Sequence, residues 1–298
     1  MMKFIFLFLI SVSALAAPRE EAAALLSRFS RVEETQNRIE IFSASFLGLP
    51  YGDGGPLGEG ETGRYDQDPL YRFDTFDCTT FVETILSLAL TRDVFSFEKK
   101  MDEIRYESAQ VEYLKRNHFP SLQWIPNNIK NGTLLEINHL LLPASQRRMA
   151  EAVINLPGWL KKIKLEEIRA PYATEGERLL LLEELRSYSS QYAPVIARLD
   201  YLPIPALVAN PSLLKKIPHG TVVNFVRPNW DLTDIAGTHM NVSHQGFIFQ
   251  TKSGTVLRHA SSSSEKQVIE VPFYDYLKKF VNHPTLKGIH LMVVNQGR

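Results

Sequence analysis

The chain has one cysteine, Cys78, in the segment Phe76-Asp77-Cys78-Thr79-Thr80-Phe81-Val82-Glu83. A lone thiol is either a small buried hydrophobe or a nucleophile, and its surroundings decide between them. Amide hydrolysis by a thiol needs an ionised sulfur, a base that passes a proton to the departing amine, and a third group that orients the base. Two of the eight histidines stand where such groups would come from. His244 lies in Asn241-Val242-Ser243-His244-Gln245-Gly246-Phe247-Ile248-Phe249, and His259 in Val256-Leu257-Arg258-His259-Ala260-Ser261-Ser262. A lone histidine is more often a satisfied imidazole than a catalyst, so the weight rests on the three residues together.

The elements around them are legible. Apolar residues at Phe81, Val82, Ile85, Leu86, Leu88 and Ala89 give a helix with one broad buried face. Asp77 is a candidate N-cap, and Thr80 with Glu83 is a competing capping box. Either start puts Cys78 within a turn of the helix N-terminus, where unpaired N–H groups and the helix dipole favour a thiolate. Lys252-Ser253-Gly254 reads as a hairpin turn. A loop over Thr251 to Gly254 makes His259 a diagonal neighbour of His244 on one sheet face, and a one-residue slip would separate them.

The rest of the chain reads as an α+β fold. Glu20 to Leu47 and Val94 to Ile104 have helical period, as does the charged stretch Gln146 to Tyr188, which belongs to a helical insertion at about 140–205. Gly48 to Asp74 is a long loop rich in Gly, Pro and Asp. Short strands follow at Thr221 to Val226, Gln245 to Gln250, Thr255 to Ala260, Gln267 to Val271 and Gly288 to Val294. Met1-Met2-Lys3, the apolar run Phe4 to Leu15 and the small residues Ala14 to Ala17 have the layout of a secretory signal peptide over residues 1–17. Export to periplasm or medium is therefore expected, with residues 18–298 as a single domain and no stable membrane insertion. With 33 Lys plus Arg against 33 Asp plus Glu, no net field favours nucleic acid.

The FDCTTFVET, VSHQGF and HASSS segments, in that order, resemble the NlpC-type papain-like cysteine peptidases. More narrowly, they resemble a branch first catalogued as a domain of unknown function, whose characterised members are N-acetylmuramoyl-L-alanine amidases. Leu49-Pro50-Tyr51, Ile104-Arg105-Tyr106, His118-Phe119 with Trp124 and Asn127 or Asn128, and Gly288-Ile289 fit the same branch. The resemblance implies a papain-like core with the nucleophile at a helix N-terminus packed on an antiparallel sheet. It implies Cys78 as nucleophile, His244 as base, His259 as orienting group, and cleavage between muramic acid and L-alanine. The long acidic stretch Gly52 to Tyr71 and the large insertion depart from a minimal member and bear on which bond is cut.

Tyr51, Arg105 and Trp124 are candidates to line a substrate groove, each equally suited to the core or to a structural ion pair, with Asp77, Thr79 and Ser243 beside the catalytic residues. Asp77 also keeps open a stem-peptide endopeptidase, in which it would read the amine of the terminal L-alanine. A non-catalytic peptidoglycan-binding protein and an exported toxin are the readings from other classes. No cofactor is expected. His239 and His244, five residues apart, match neither H-E-x-x-H nor a cysteine–histidine site, and the glycine-rich loop lacks a phosphate-binding signature.

Overall fold

The computed structural model describes residues 11–53, 55–263 and 265–296. Most of the expected export segment, residues 1–10, lies outside the described residues. The first helix, α1 (Ser11–Arg28), runs through the expected cleavage point, and α2 (Thr35–Ser45) follows. One continuous helix over Glu20 to Leu47 is therefore corrected to two, and Arg38 explains the break. Its guanidinium is fully buried, reaches back to the Phe29 carbonyl at 3.2 Å, and reaches across to the Leu88 and Ala89 carbonyls at 2.8 Å each. Those last two carbonyls end α3 (Cys78–Leu90), where a helix lacks donors of its own. Turning the chain at Phe29 lets α2 bring a cation to that end.

The start of α3 is fixed by Asp77. Its side chain accepts the Thr80 N–H at 2.7 Å, and the Thr80 hydroxyl accepts the Asp77 N–H at 3.0 Å. The capping box is thus Asp77 with Thr80, and Cys78 is the first helical residue. Then come α4 (Val94–Arg105), α5 (Ile125–Lys130) and β1 (Leu134–Glu136).

The segment expected to be a helical insertion is mixed. Strand β2 (Arg148–Ile154), helices α6 (Leu156–Lys162) and α7 (Glu175–Ser187), and strand β3 (Val195–Pro203) make it up. Strands β2 and β3 pair antiparallel from Arg148↔Tyr201 to Ile154↔Val195. The strand was present in the sequence as a period of two: Ala150, Ala152 and Ile154 are buried while Met149, Glu151 and Val153 face out. Alanines at the buried positions make that alternation faint.

After α8 (Ile204–Ala209) come β4 (Thr221–Leu232), α9 (Thr233–Ala236), β5 (Thr238–Thr251), β6 (Gly254–Ser261), β7 (Gln267–Pro272), α10 (Phe273–Lys278) and β8 (Gly288–Val294). All five expected strands are present, four of them longer than expected and β4 and β5 the most extended. One eight-stranded sheet runs β2-β3-β8-β4-β5-β6-β7, with β1 added on β8, and every strand pair in it is antiparallel. Alternation divides its side chains between two cores. Val222, Phe247, Phe249, Val256 and Met292 pack with α1 to α4 on one face. Val223, Phe225, Ile248, Leu257 and Leu291 pack with α8 and α10 on the other. Helix and antiparallel sheet together give the expected α+β class. Among the described residues no helix is long and apolar enough to cross a membrane.

Candidate active site

Strand register brings the two histidines together. β5 and β6 pair Thr251↔Gly254 through Phe247↔Arg258, and this register sets Gly246 opposite His259 and His244 on the diagonal. The two rings meet edge to face with centroids 4.7 Å apart, and His244 Nε2 lies 2.6 Å from His259 Nδ1. Glycine at 246 is what permits this. A Cβ there would lie 2.9 Å from His259 Cβ and 2.9 Å from the Arg258 carbonyl oxygen, closer than real side chains pack.

The strand is also bent at the right place. On β4 and β5 the pairs step from Phe225↔His244 to Val226↔Val242, so Ser243 is an extra residue on β5. Such a bulge re-aims the neighbouring side chain. Arg227 holds it, donating from Nε to the Ser243 hydroxyl at 3.0 Å. Ser243 is accordingly occupied by the scaffold.

Cys78 meets this bend from the helix side. The backbone N–H groups of Gln245, the residue after His244, and of Thr79 pull its pKa down, and its sulfur lies 3.9 Å from the Thr79 hydroxyl. Among the described residues no hydrogen bond joins the sulfur to either imidazole. Two phenols also feel its charge: the Tyr51 and Tyr276 hydroxyls are both pushed up, first by burial and then by Cys78. Tyr276 packs its ring 5.5 Å from His259 and 5.3 Å from Phe225, and Phe225 stacks 5.6 Å from His244.

The electrostatics of the resting site differ from a simple thiolate at a helix end. Burial and the Asp77 carboxylate push the Cys78 thiol up to about 12, against the pull of the Gln245 and Thr79 donors. Burial holds His244 well below the ordinary histidine value, with His259 adding to it, and takes His259 down to about 4. Burial thus opposes the ionised sulfur that the helix end favours, and pushes the thiol and both imidazoles toward their uncharged forms. With one proton each, the rings have a defined arrangement. If His244 Nε2–H donates to His259 Nδ1, then His244 Nδ1 keeps a lone pair and His259 carries its proton on Nε2. That Nε2 is buried without a partner among the described residues.

Beside the helix start is a cleft of about 270 Å³, lined among others by Asp77, Thr79, Arg116, Asn117, His118 and Trp159. Asp77 and Thr79 are thus at the cleft, and the Tyr51 phenol is near enough to Cys78 for the sulfur's charge to raise it. Arg105 and Trp124 are not in a groove. Arg105 is 1% exposed and pairs with Glu83 at 2.9 Å, and the Trp124 indole donates to the same carboxylate at 3.1 Å. Of the two roles open to them they take the structural one, satisfying a buried acid of α3; removing one partner of such a pair costs about 3–5 kcal/mol.

Comparison with known proteins fits this geometry. A family model described as AmiA-like, N-acetylmuramoyl-L-alanine amidase-like, matches residues 41–284. A crystal structure of a Legionella pneumophila protein of family DUF1460 is 34% identical, covering 96% of this chain and 97% of that one, with a TM-score of 0.90. This chain belongs to the AmiA-like family. An N-acetylmuramoyl-L-alanine amidase from Bacteroides uniformis is 21% identical over 89% of this chain and 100% of its own, with a TM-score of 0.63, and so shares the fold. No curated protein matches the chain.

Membership places the chain among amidase-like hydrolases directed at peptidoglycan. Sequence reasoning missed Tyr276, Arg227, Phe225 and the Gln245 peptide. None carries a local motif. Tyr276 reaches the site from a six-residue helix after β7, and the Gln245 contribution is a backbone group. Only the bulge had a trace, in the polar Ser243 between Val242 and His244.

Proposed function

We propose that this AmiA-like chain is a cysteine amidase of papain-like type that cleaves the bond between N-acetylmuramic acid and L-alanine in peptidoglycan fragments. The observation that carries the reading is the junction at Gln245. The N–H that follows His244 acts on the thiol at the first residue of a capped helix by drawing its pKa down, while His244 Nε2 lies 2.6 Å from His259 Nδ1.

The uncharged resting pair defines the first step. When substrate closes the site, His244 Nδ1 takes the thiol proton as sulfur bonds to the lactyl carbonyl carbon, so charge appears only as the bond forms. The oxyanion meets the Cys78 N–H at the first turn of α3, and we assign the Tyr51 hydroxyl, whose pKa the Cys78 charge raises, as the second donor. His244 then gives its proton to the departing L-alanine nitrogen, leaving a thioester on Cys78. Water, deprotonated by His244, attacks the thioester and releases the muramic acid carboxylate and the thiol. His259 keeps the His244 ring in the tautomer that leaves Nδ1 basic. Export through residues 1–17 would bring the enzyme to its substrate.

Mass spectrometry of a disaccharide-tetrapeptide digest tests this. The expected products are the disaccharide and an intact tetrapeptide beginning with L-alanine, with none from Cys78→Ser. A dipeptide product would reject the bond assignment in favour of the endopeptidase.

A further inference from the structure

The two stretches that depart from a minimal family member, the loop Gly52 to Tyr71 and the insertion, are stitched to each other. Arg169 donates its backbone N–H to the Tyr65 carbonyl at 2.8 Å and accepts from Gln67 N–H at 2.7 Å. Its guanidinium reaches the Gly55 carbonyl at 2.6 Å. Glu184 on α7 takes the Tyr65 hydroxyl at 2.6 Å and Arg64 Nε at 2.8 Å. From the helix side, Arg105 donates to the Leu70 carbonyl and the Tyr106 hydroxyl to the Gly58 carbonyl. The glycines make this possible: a Cβ at Gly58 would lie 2.4 Å from Asp66 Oδ1. Loop and insertion form one wall of the cleft beside Cys78.

Inside that cleft, Arg116 has donors to spare. Its side chain is only 17% exposed, and its ion partner, Asp66, stands 3.6 Å away, beyond hydrogen-bond reach. No hydrogen bond from its guanidinium is made to any described residue. The two acids that face it are weakly committed as anions, since burial raises Asp66 and takes Glu59 up to about 7. Both Glu59 oxygens are buried with no hydrogen-bond partner among the described residues. Next to Arg116, the His118 Nε2–H donates to the Tyr113 carbonyl at 2.8 Å, and burial with the Arg116 charge takes this imidazole down to about 3. His118 Nδ1 is therefore an uncharged acceptor. Trp159 of α6 covers it, with ring centroids 4.6 Å apart.

A planar cation with free donors, a neutral acceptor and an indole face suit a peptide that bears a carboxylate. The glycan half of a muropeptide amide is uncharged, so such a cleft is matched to the peptide half. We propose that this cleft is the subsite for the stem peptide and that Arg116 holds one of its free carboxylates, an inference that rests on the amidase reading. The loop and the insertion then supply specificity while Cys78, His244 and His259 supply chemistry.

The test uses two disaccharide-tetrapeptides, one with free peptide carboxylates and one with those groups converted to primary amides. Wild-type kcat/KM is expected to fall about 10- to 100-fold on the amide, chiefly through KM, as for a charged hydrogen bond lost in a dry site. Arg116→Gln should lose a similar factor on the free acid and show no preference between the two, with Arg116→Lys recovering part of it. Binding of both peptides to Cys78→Ala, read by calorimetry, separates this subsite from the reaction. A binding preference for the free acid without turnover by wild type would keep the subsite and reject the amidase. Equal turnover and equal binding of the two peptides would overturn the subsite, as would a preference that survives in Arg116→Gln.

Discussion

Two sides of Cys78 are built on opposite electrostatic plans. On the strand side, His244, His259, Phe225 and Tyr276 make a tight, uncharged, largely aromatic pocket in which strand register sets the first three and α10 brings the fourth. On the loop side, Arg116, Asp66 and Asp77 line a cleft whose walls are held by side chain to backbone bonds and in which the Arg116 charge stands apart from its partner. Proton transfer gains from the first arrangement, because a neutral thiol and imidazole cost little to bury and separate charge only with substrate present. Recognition gains from the second, because a charged ligand pairs with donors that the fold leaves unspent. Chemistry and selectivity can then be altered independently.

Gly246→Ala should break the strand side alone. The added methyl would strike His259 and the Arg258 carbonyl, so the His244 to His259 bond must lengthen. A displacement on that scale costs about 100-fold in rate. We expect kcat to fall by about that factor on free-acid and amidated substrates alike, with their ratio unchanged. Steady-state kinetics on the pair checks this; a change confined to one substrate would mean that the two sides are not separate.

A smaller effect sharpens the contrast through stability. His259 is held at about 4, below the ordinary histidine value, so between pH 4 and 6.5 the unfolded chain binds a proton that the folded one does not. Its contribution is present above that window and lost as pH falls through it. Glu59 has the reverse sign. Raised to about 7, it favours the fold below the ordinary carboxylate value and loses that contribution as pH rises through 7. Melting temperature against pH should therefore lose part of its acid-side slope in His259→Gln and part of its neutral-side decline in Glu59→Gln, by roughly 1–2 kcal/mol each. Curves that stay parallel to wild type would remove the electrostatic contrast.

The sequence was informative in proportion to how local each cause is. The lone cysteine, the cap at Asp77, the hairpin turn and the histidine spacing are short-range facts, and they led to the His244–His259 diagonal. The break between α1 and α2 was hidden because it depends on Arg38 meeting the far end of α3. Strand β2 was hidden because alanines fill its inward positions. Arg105 and Trp124 stay open between groove and core in the sequence because a cation and an indole suit a ligand as well as they suit Glu83, and only packing distinguishes the two. Arg116 drew no attention at all: nothing near it in the chain shows that Asp66 stops short of it.

The central claim, that Cys78 carries the acyl group, is tested most directly by acid quench during turnover and intact mass measurement of the protein. The account predicts an added mass equal to the muramoyl-bearing glycan, mapped to Cys78 and absent from Cys78→Ala, which should be inactive. Continued hydrolysis by Cys78→Ala, with no adduct on wild type, would contradict it.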